Sequence, residues 1–579
     1  MASFLTGVGG PGAWGEYQVP LAPSTQNFQY AGYFQDNWRV NDKLTLNVGV
    51  RYDLTLSRTE RFNRMSYFDP NAVSPLKVSD PALPAALRGG LRFVDAQHRK
   101  NFAADYNNFG PRFGFAYRLR DKFVLRGGYG LFYTVARNGI AGTDTEGWAG
   151  FSQESNWVTT DPFVTDPVTP WGRLSDPWPT TGPALPPGNS LGVLTDVGTG
   201  GFRSPARIFS ATPYEQTWSF GIQRELPGNT VVDANYVGKK GTKLYFGDGG
   251  HLNVLGPFVE TLTPDQLSAI QDVRDNPFLG IITSGELSGP SIPVYQLMRP
   301  FPEFTDFTAG EPPVANSIYH AFQLRVEKRW SNGMQFLTTY TVSKSIDDAS
   351  ITSGDLGWLG GRTSLQDPNK RFLERSLSEF DIPQVLQFSY VYELPVGRGK
   401  RLGARWNPWL SGVIGNWKAT GIWRFSSGQP ISLGLSNSQS LPTYGGQRPN
   451  LVGQLTINDR SKWACSDPGC GYFANQGSSS APTDVVVPPP GFTLGAAPRT
   501  LPNVRSPGIN LANLAIFKGI PLTRFREGMR LEYRVEAFNA FNRPHFCGPN
   551  DTVDSGSFGQ VTSLCTSPRE IQMALKFYW

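Results

Sequence analysis

Between Met529 and Ala537 every second residue is apolar, and the four residues between them, Arg530, Glu532, Arg534 and Glu536, are all charged. A period of two puts the two sets on opposite faces of an extended strand. A row of charges cannot point into hydrocarbon, where an Arg or Lys at mid-depth costs roughly 2 to 4 kcal/mol. The charged set must therefore face water or a polar lumen, and the apolar set needs lipid or a second sheet. Gln323, Arg325, Glu327 and Arg329 repeat the pattern against Phe322, Leu324 and Val326. At the end of the chain Ile571, Met573, Leu575, Phe577 and Trp579 alternate with Glu570, Gln572, Ala574, Lys576 and Tyr578.

The same alternation recurs along the chain in segments of about ten residues, the length of a tilted strand that crosses a bilayer. Phe28 to Trp38 turns at Val40-Asn41 and returns through Leu44 to Leu54. Phe113 to Leu119 turns at Arg120-Asp121 into Phe123 to Tyr133. Trp218 to Ile222 turns at Pro227-Gly228-Asn229 into Val232 to Tyr236, and Phe322 to Trp330 turns at Ser331-Asn332-Gly333 into Met334 to Val342. Leu386 to Leu394, Trp417 to Phe425, Leu511 to Phe517, Met529 to Phe541 and the last stretch complete about thirteen strands. Short turns alternate with long loops read as irregular, the asymmetry of an outer-membrane barrel with periplasmic turns and extracellular loops. The strand ends are also sorted. Trp38, Trp330, Tyr392, Trp417 and Trp579 fall at the short-turn end, and Phe28, Tyr30, Tyr52 and Tyr133 at the other, as two interfacial aromatic belts would.

Composition supports the choice of lipid. Charged residues make up 17% of the chain, below the usual ~25%, and aromatics 13%. The mean hydropathy of -0.31 and the lack of any apolar run near the roughly 18 residues of a membrane helix leave alternation as the way to hide apolar groups. The net charge of +6 is scattered and not gathered into a basic stripe, so nucleic acid is not an expected partner. Met1 to Gly15 holds no Lys or Arg, so it lacks the basic region of a secretory signal.

Several stretches resemble a known family. Phe34-Gln35-Asp36-Asn37-Trp38-Arg39 with Lys43 to Tyr52, and Asn108-Phe109-Gly110-Pro111-Arg112-Phe113-Gly114, resemble the barrel of TonB-dependent outer-membrane receptors. Trp218 to Pro227 with Asn235-Tyr236-Val237-Gly238, and Glu536-Ala537-Phe538-Asn539-Ala540-Phe541-Asn542 with Pro544-His545-Phe546, are similar to its Oar-like branch. The resemblance implies a barrel of about 22 strands, an amino-terminal plug, a signal peptide and often a small regulatory-like domain. None of those amino-terminal parts is visible, so the expectation is an incomplete wall of 13 to 14 antiparallel transmembrane strands, the carboxy-terminal part of the barrel. Residues 1–26 would be a partial upstream barrel segment and 27–579 the receptor-type barrel. One departure is Ile382-Pro383-Gln384 after Ser378-Glu379-Phe380-Asp381, where the family tends to place basic residues and a His.

The implied function is energised uptake of an unidentified extracellular ligand, with no catalytic residue and no cofactor. The expected partners are outer-membrane lipid, the barrel assembly machinery acting on the terminal strand, and the TonB energy complex through a missing plug. A passive porin or adhesin barrel, and a soluble secreted glycan-binding β-protein, are the rival readings. Candidate ligand contacts are the loop aromatics Trp148, Trp157, Trp171, Trp178, Trp358 and Trp463. Candidate lumenal charges are Arg325, Glu327, Arg329, Arg530, Glu532, Arg534 and Glu536, in contact with a plug or paired with one another. Asp347, Asp348 and Asp355 could hold Ca²⁺ but read better as solvated loop acids, and the four isolated histidines as surface or loop residues. Cys547 and Cys565 flank the final loop, and Cys465 and Cys470 are near enough to close a small one, so two disulfides are expected and a zinc site is not.

Overall fold

The computed structural model describes residues 15–21, 24–134, 147–157, 183–200, 211–246, 251–308, 312–349, 365–436, 446–463, 470–474, 485–522 and 526–579. Thirteen strands form one antiparallel meander: β1 (Gln29–Arg39), β2 (Leu44–Thr55), β3 (Phe109–Arg120), β4 (Phe123–Tyr133), β5 (Tyr214–Leu226), β6 (Thr230–Tyr245), β7 (Pro313–Ser331), β8 (Met334–Asp347), β9 (Gln384–Glu393), β10 (Trp417–Ser426), β11 (Ile509–Pro521), β12 (Arg530–Phe538) and β13 (Glu570–Tyr578). The two-residue strand Ser376–Leu377 pairs with β8 as a fourteenth. The fold is the all-β wall expected from the alternation. β1 and β13 each have one neighbour in the sheet. Both run toward the short-turn end, so they could pair with each other only in parallel.

Local chemistry sets the turns. Ser331 pairs with Met334 across Asn332 (φ 53°) and Gly333 (φ 75°), the two left-handed residues that a tight two-residue hairpin needs. Between β3 and β4 the turn is Asp121-Lys122, one residue later than the sequence suggests, because Arg120 still pairs with Phe123. The β9–β10 connection is not short. It holds a helix, α2 (Pro408–Ile414), whose Asn407 side chain accepts from the Leu410 amide at 2.7 Å.

Register fixes the two faces. Val326, Leu324 and Phe322 of β7 stand beside Thr338, Tyr340 and Val342 of β8, and Leu531 to Ala537 beside Phe577 to Ile571. This apolar face is open: Phe220 and Phe322, in the middle of the sheet, are each 47% exposed. In β11 the apolar residues Leu511, Ala515 and Phe517 stand on the opposite, charged side, opposite Arg424, Thr420 and Lys418. The strand is apolar on both faces, so periodicity alone could not assign its direction.

The buried core lies elsewhere. Among the described residues, every buried apolar side chain larger than valine sits outside the thirteen strands. The long connections are therefore not irregular. The hairpin Ser66–Val73 with Arg88–Phe93 packs Phe68 and Leu91 against Phe304 and Phe307 of the 246–312 loop. That loop carries the short helix α1 (Pro264–Ala269), capped by Thr263 and Gln266. Leu87 joins Phe278, Ile282, Leu287, Ile292 and Leu297 in a second cluster. Ile431, Leu455, Tyr472, Phe473 and Val504 of the 427–508 loop join Val553, Phe558 and Val561 of the 539–569 loop in a third. The segment Gly15–Pro20 pairs with Ser152–Trp157 in a separate two-stranded sheet, apart from the wall.

Candidate functional site

Several side chains on the charged face of the wall pair with one another. Arg325 meets Glu327 at 2.7 Å, Arg534 meets Glu532 at 2.5 Å, and Arg51 meets Asp53 at 2.9 Å. Arg126 crosses β5 to reach Asp233 on β6. It crosses at Gly221, where a Cβ would stand 1.9 Å from Asn235 Oδ1, so a glycine that weakens a strand interior serves close packing here. Arg530 lies 4.2 Å from the centre of the Tyr578 ring, and Arg534 Nη2 donates to the Tyr578 hydroxyl at 3.3 Å. These contacts tie β12 to the terminal strand.

Between the charged ends runs a trough of about 570 Å³. Two register rows line it: Glu327, Leu337, Ser389, Ile422 and Asn513, then Gln335, Val391, Thr420, Ala515 and Glu536. Small side chains form the floor, and Leu337, Val391 and the 60% exposed Ile422 make it apolar. The sequence alone does not single out Leu337, Val391 and Ile422, because an apolar residue at a lumenal position looks like noise within one strand. It becomes a patch only when the register brings the strands together.

Above the trough, buried ion pairs tie the loop cap to the wall. Arg499 reaches Asp347 at the end of β8, lies 4.0 Å from Glu379 and donates to the Glu374 carbonyl at 2.9 Å. Arg448 pairs with Glu374 at 2.7 Å and Arg505 with Asp381 at 2.5 Å. The Ser345 amide also donates to Asp381, at 2.6 Å. In this chain the segment Ser378 to Asp381 is thus a latch, whatever follows it. Asp348 accepts from the Asn316 amide at 2.6 Å, so Asp347 and Asp348 are paired acids and not the solvated ones expected. Asp355 lies outside the described residues. Among the described residues no group of three or more His, Cys, Asp or Glu is placed to hold a metal ion.

Burial has electrostatic consequences in the cap. Glu303 is fully buried, neither carboxylate oxygen has a partner among the described residues, and desolvation pushes it up to about 7. Asp196 is pushed up to about 6 by the same cause. Tyr472, whose hydroxyl donates to the Arg505 carbonyl, is pushed up to about 12 by burial.

Among the described residues the candidate loop aromatics do not gather. Trp463 packs in the core of the cap, 4.9 Å from the Tyr472 ring and 5.9 Å from Phe546, with its Nε1 donating to the Asn458 carbonyl at 2.8 Å. Trp148 is half-buried. Trp157 ends the short strand Ser152–Trp157, and Trp171, Trp178 and Trp358 lie outside the described residues. Cys547 and Cys565 form a disulfide. Cys470 is also disulfide-bonded, and Cys465 lies outside the described residues. Of the histidines, His545 is not a surface group: it is buried, accepts from the Asn510 amide at 2.9 Å through Nε2, and lies 2.9 Å from Thr566 Oγ1. The imidazole satisfies an amide where the ladder between β11 and β12 has run out. His320 lies on the lipid-facing side of β7.

The stretch from Glu536 to Phe546 is a knot joining the last strands. Asn539 accepts from the Arg543 amide at 3.0 Å and donates to the Ser567 carbonyl at 3.2 Å, and its own amide donates to Asn513 at 3.0 Å. Asn542 accepts from the Arg569 amide at 3.0 Å.

Solved structures similar to the chain include the ferripyoverdine receptor of Pseudomonas aeruginosa (11% identity, TM-score 0.37, covering 96% of this chain and 39% of that one). The outer membrane transporter YddB of Escherichia coli is similar at 9% identity and TM-score 0.39, over 96% of this chain and 54% of that one. The ferric-catecholate import receptor Fiu of Escherichia coli is similar at 9% and 0.36, over 96% and 45%. The chain thus spans between 39% and 54% of the length of these proteins. A search of curated proteins finds no match. The outer membrane beta barrel domain family matches residues 1–572, so the chain belongs to that family and is a protein of the bacterial outer membrane.

Proposed function

We propose that residues 27–579 are the barrel wall and extracellular cap of an Oar-like TonB-dependent receptor, which takes up a scarce extracellular ligand with energy from the inner membrane. The observation that carries this reading is the pairing of a folded cap with a lumenal face that combines an apolar trough and fixed charges. A passive pore needs neither a cap with its own core nor an apolar patch inside. The trough and the ladder of Arg530, Glu532, Arg534 and Glu536 suit contact with a domain that fills the lumen. Residues 1–26 belong with the same barrel region in this proposal, and the terminal strand is the segment that the barrel assembly machinery handles. An outer-membrane protein is not the soluble secreted glycan binder kept as a rival.

The test is to delete the gene in its host and compare uptake of medium components in wild-type cells, the deletion strain and wild-type cells treated with a protonophore. The proposal expects at least one component whose uptake is lost in both the deletion strain and the treated cells. Steady open conductance of the purified protein in planar bilayers, with uptake insensitive to protonophore, would make it a passive porin. Uptake unchanged by deletion, with loss of surface attachment, would make it an adhesin.

A further inference from the structure

The lipid-facing side of the wall carries a cluster at its outer rim that membrane crossing alone does not require. Ten residues of β7 separate Trp330 at the short-turn end from His320. At ~3.4 Å per residue and a tilt near 40° this is roughly 26 Å of depth, the height of the apolar band of such barrels. His320 therefore stands at the outer boundary of the hydrocarbon. Lys344 of β8 lies directly opposite it in the register, and Gly238 of β6 lies on its other side, with Lys240 two residues farther out.

The cluster is built. A Cβ on Gly238 would stand 2.2 Å from the Trp218 ring, so its absence lets that ring lie across β6 and come within 6.0 Å of the His320 ring. The Tyr236 hydroxyl lies 2.8 Å from His320 Nδ1 and accepts from Trp218 Nε1 at 3.4 Å. With the tyrosine donating to Nδ1, Nε2 carries the proton and is free to donate. Lys240 and Lys344 are exposed and have no ionic partner among the described residues. The nearby acid of matching parity, Asp348, is engaged by the Asn316 amide and lies 3.6 Å from Arg371. Cations at the opposite rim differ: Lys328 donates to the Gly228 carbonyl and Ser331, and Lys518 to the Gly415 carbonyl. The fold thus satisfies these two inner-rim lysines with its own oxygens and leaves the outer-rim pair open.

We propose that Lys240, His320 and Lys344, backed by Trp218 and Tyr236, bind the phosphate of an outer-leaflet lipid whose acyl chains lie on the apolar wall below. A phosphate offers the charge and several acceptor oxygens that two ammonium groups and an imidazole N–H can share. Phe220, Phe322 and Val342, next toward the membrane centre, give the site an apolar floor that a free anion would not use.

The test uses the full chain purified in detergent and native mass spectrometry with three probes at equal concentration: dioctanoyl phosphatidic acid, dioctanoylglycerol and inorganic phosphate. The expected result is one phosphatidic acid adduct, weakened at least tenfold in the K240Q/K344Q variant and in H320A, and unchanged in K328Q at the inner rim. Inorganic phosphate should not displace it. An equal adduct with dioctanoylglycerol would reduce the site to apolar contact, and displacement by equimolar phosphate would make it a free-anion site. Binding unchanged in both outer-rim variants, or lost equally in K328Q, would overturn the proposal.

Discussion

The wall and the cap of this protein use apolar residues in opposite ways. In the wall Phe220 and Phe322 lie open on the outer face, while in the cap Phe304 and Phe473 are at most 1% exposed. Both arrangements follow from one rule, that apolar surface leaves water, applied to two solvents. The wall meets lipid, so its strands need only an apolar side and a ladder of hydrogen bonds. The cap meets water, so its loops must fold on one another, with clusters that join the 56–108 loop to 246–312 and 427–508 to 539–569.

Substitutions with opposite effects in the two regions test this contrast. The largest effect should come from the cap. Phe473→Ala leaves a cavity beside Tyr472 and Phe558, and should cost about 3 to 5 kcal/mol of cap stability, read as faster amide exchange in 427–508 with the strand amides unchanged. Arg499→Ala leaves Asp347 buried without its guanidinium, at about 3 to 5 kcal/mol, read as protease nicking of the 348–383 loop.

Next comes the outer face. Leu324→Arg should cost roughly 2 to 4 kcal/mol, while Thr341→Arg, on the lumenal side of the adjacent strand, should cost little. Urea unfolding in lipid vesicles compares the two. If they are equal, the faces have been misassigned.

Protonation is a further discriminant. Glu303 has its pKa raised by burial, so the folded state holds a proton that the unfolded state has released between the ordinary glutamate value and about 7. Stability of this part of the cap should therefore fall as pH rises through that window, by at most about 3 kcal/mol. The protection of the Gly198 and Thr305 amides, which bond to the Glu303 and Thr199 carbonyls, taken relative to the intrinsic base-catalysed exchange rate at each pH, should fall from pH 5 to pH 8 in the wild type and stay level in Glu303→Gln. The smallest effect belongs to the lumen. Breaking the partly exposed Arg325–Glu327 pair with Glu327→Gln should change stability by less than about 1 kcal/mol.

The wall was largely legible in the sequence because a period of two needs only near neighbours. Arg530 to Glu536 and Ile571 to Trp579 declare their faces without knowledge of the rest. β11 was harder to orient, since Leu511 and Phe517 on one side compete with Leu514 and Ile516 on the other. The cap was not legible. Phe68 meets Phe304 across more than two hundred residues, and nothing local in either stretch announces the partner. The trough failed for the same reason, as Leu337, Val391 and Ile422 come from three strands. His545 looked like an isolated loop residue because the amide it satisfies, that of Asn510, lies 35 positions away.

The most direct test of the two-solvent account is a spin-label scan of residues 322 to 327, one at a time, with the protein in lipid vesicles. Collision with oxygen, which concentrates in hydrocarbon, should peak at Phe322, Leu324 and Val326. Collision with a water-soluble nickel chelate should peak at Gln323, Arg325 and Glu327. A flat profile, or the opposite phase, would contradict a wall whose apolar face meets lipid.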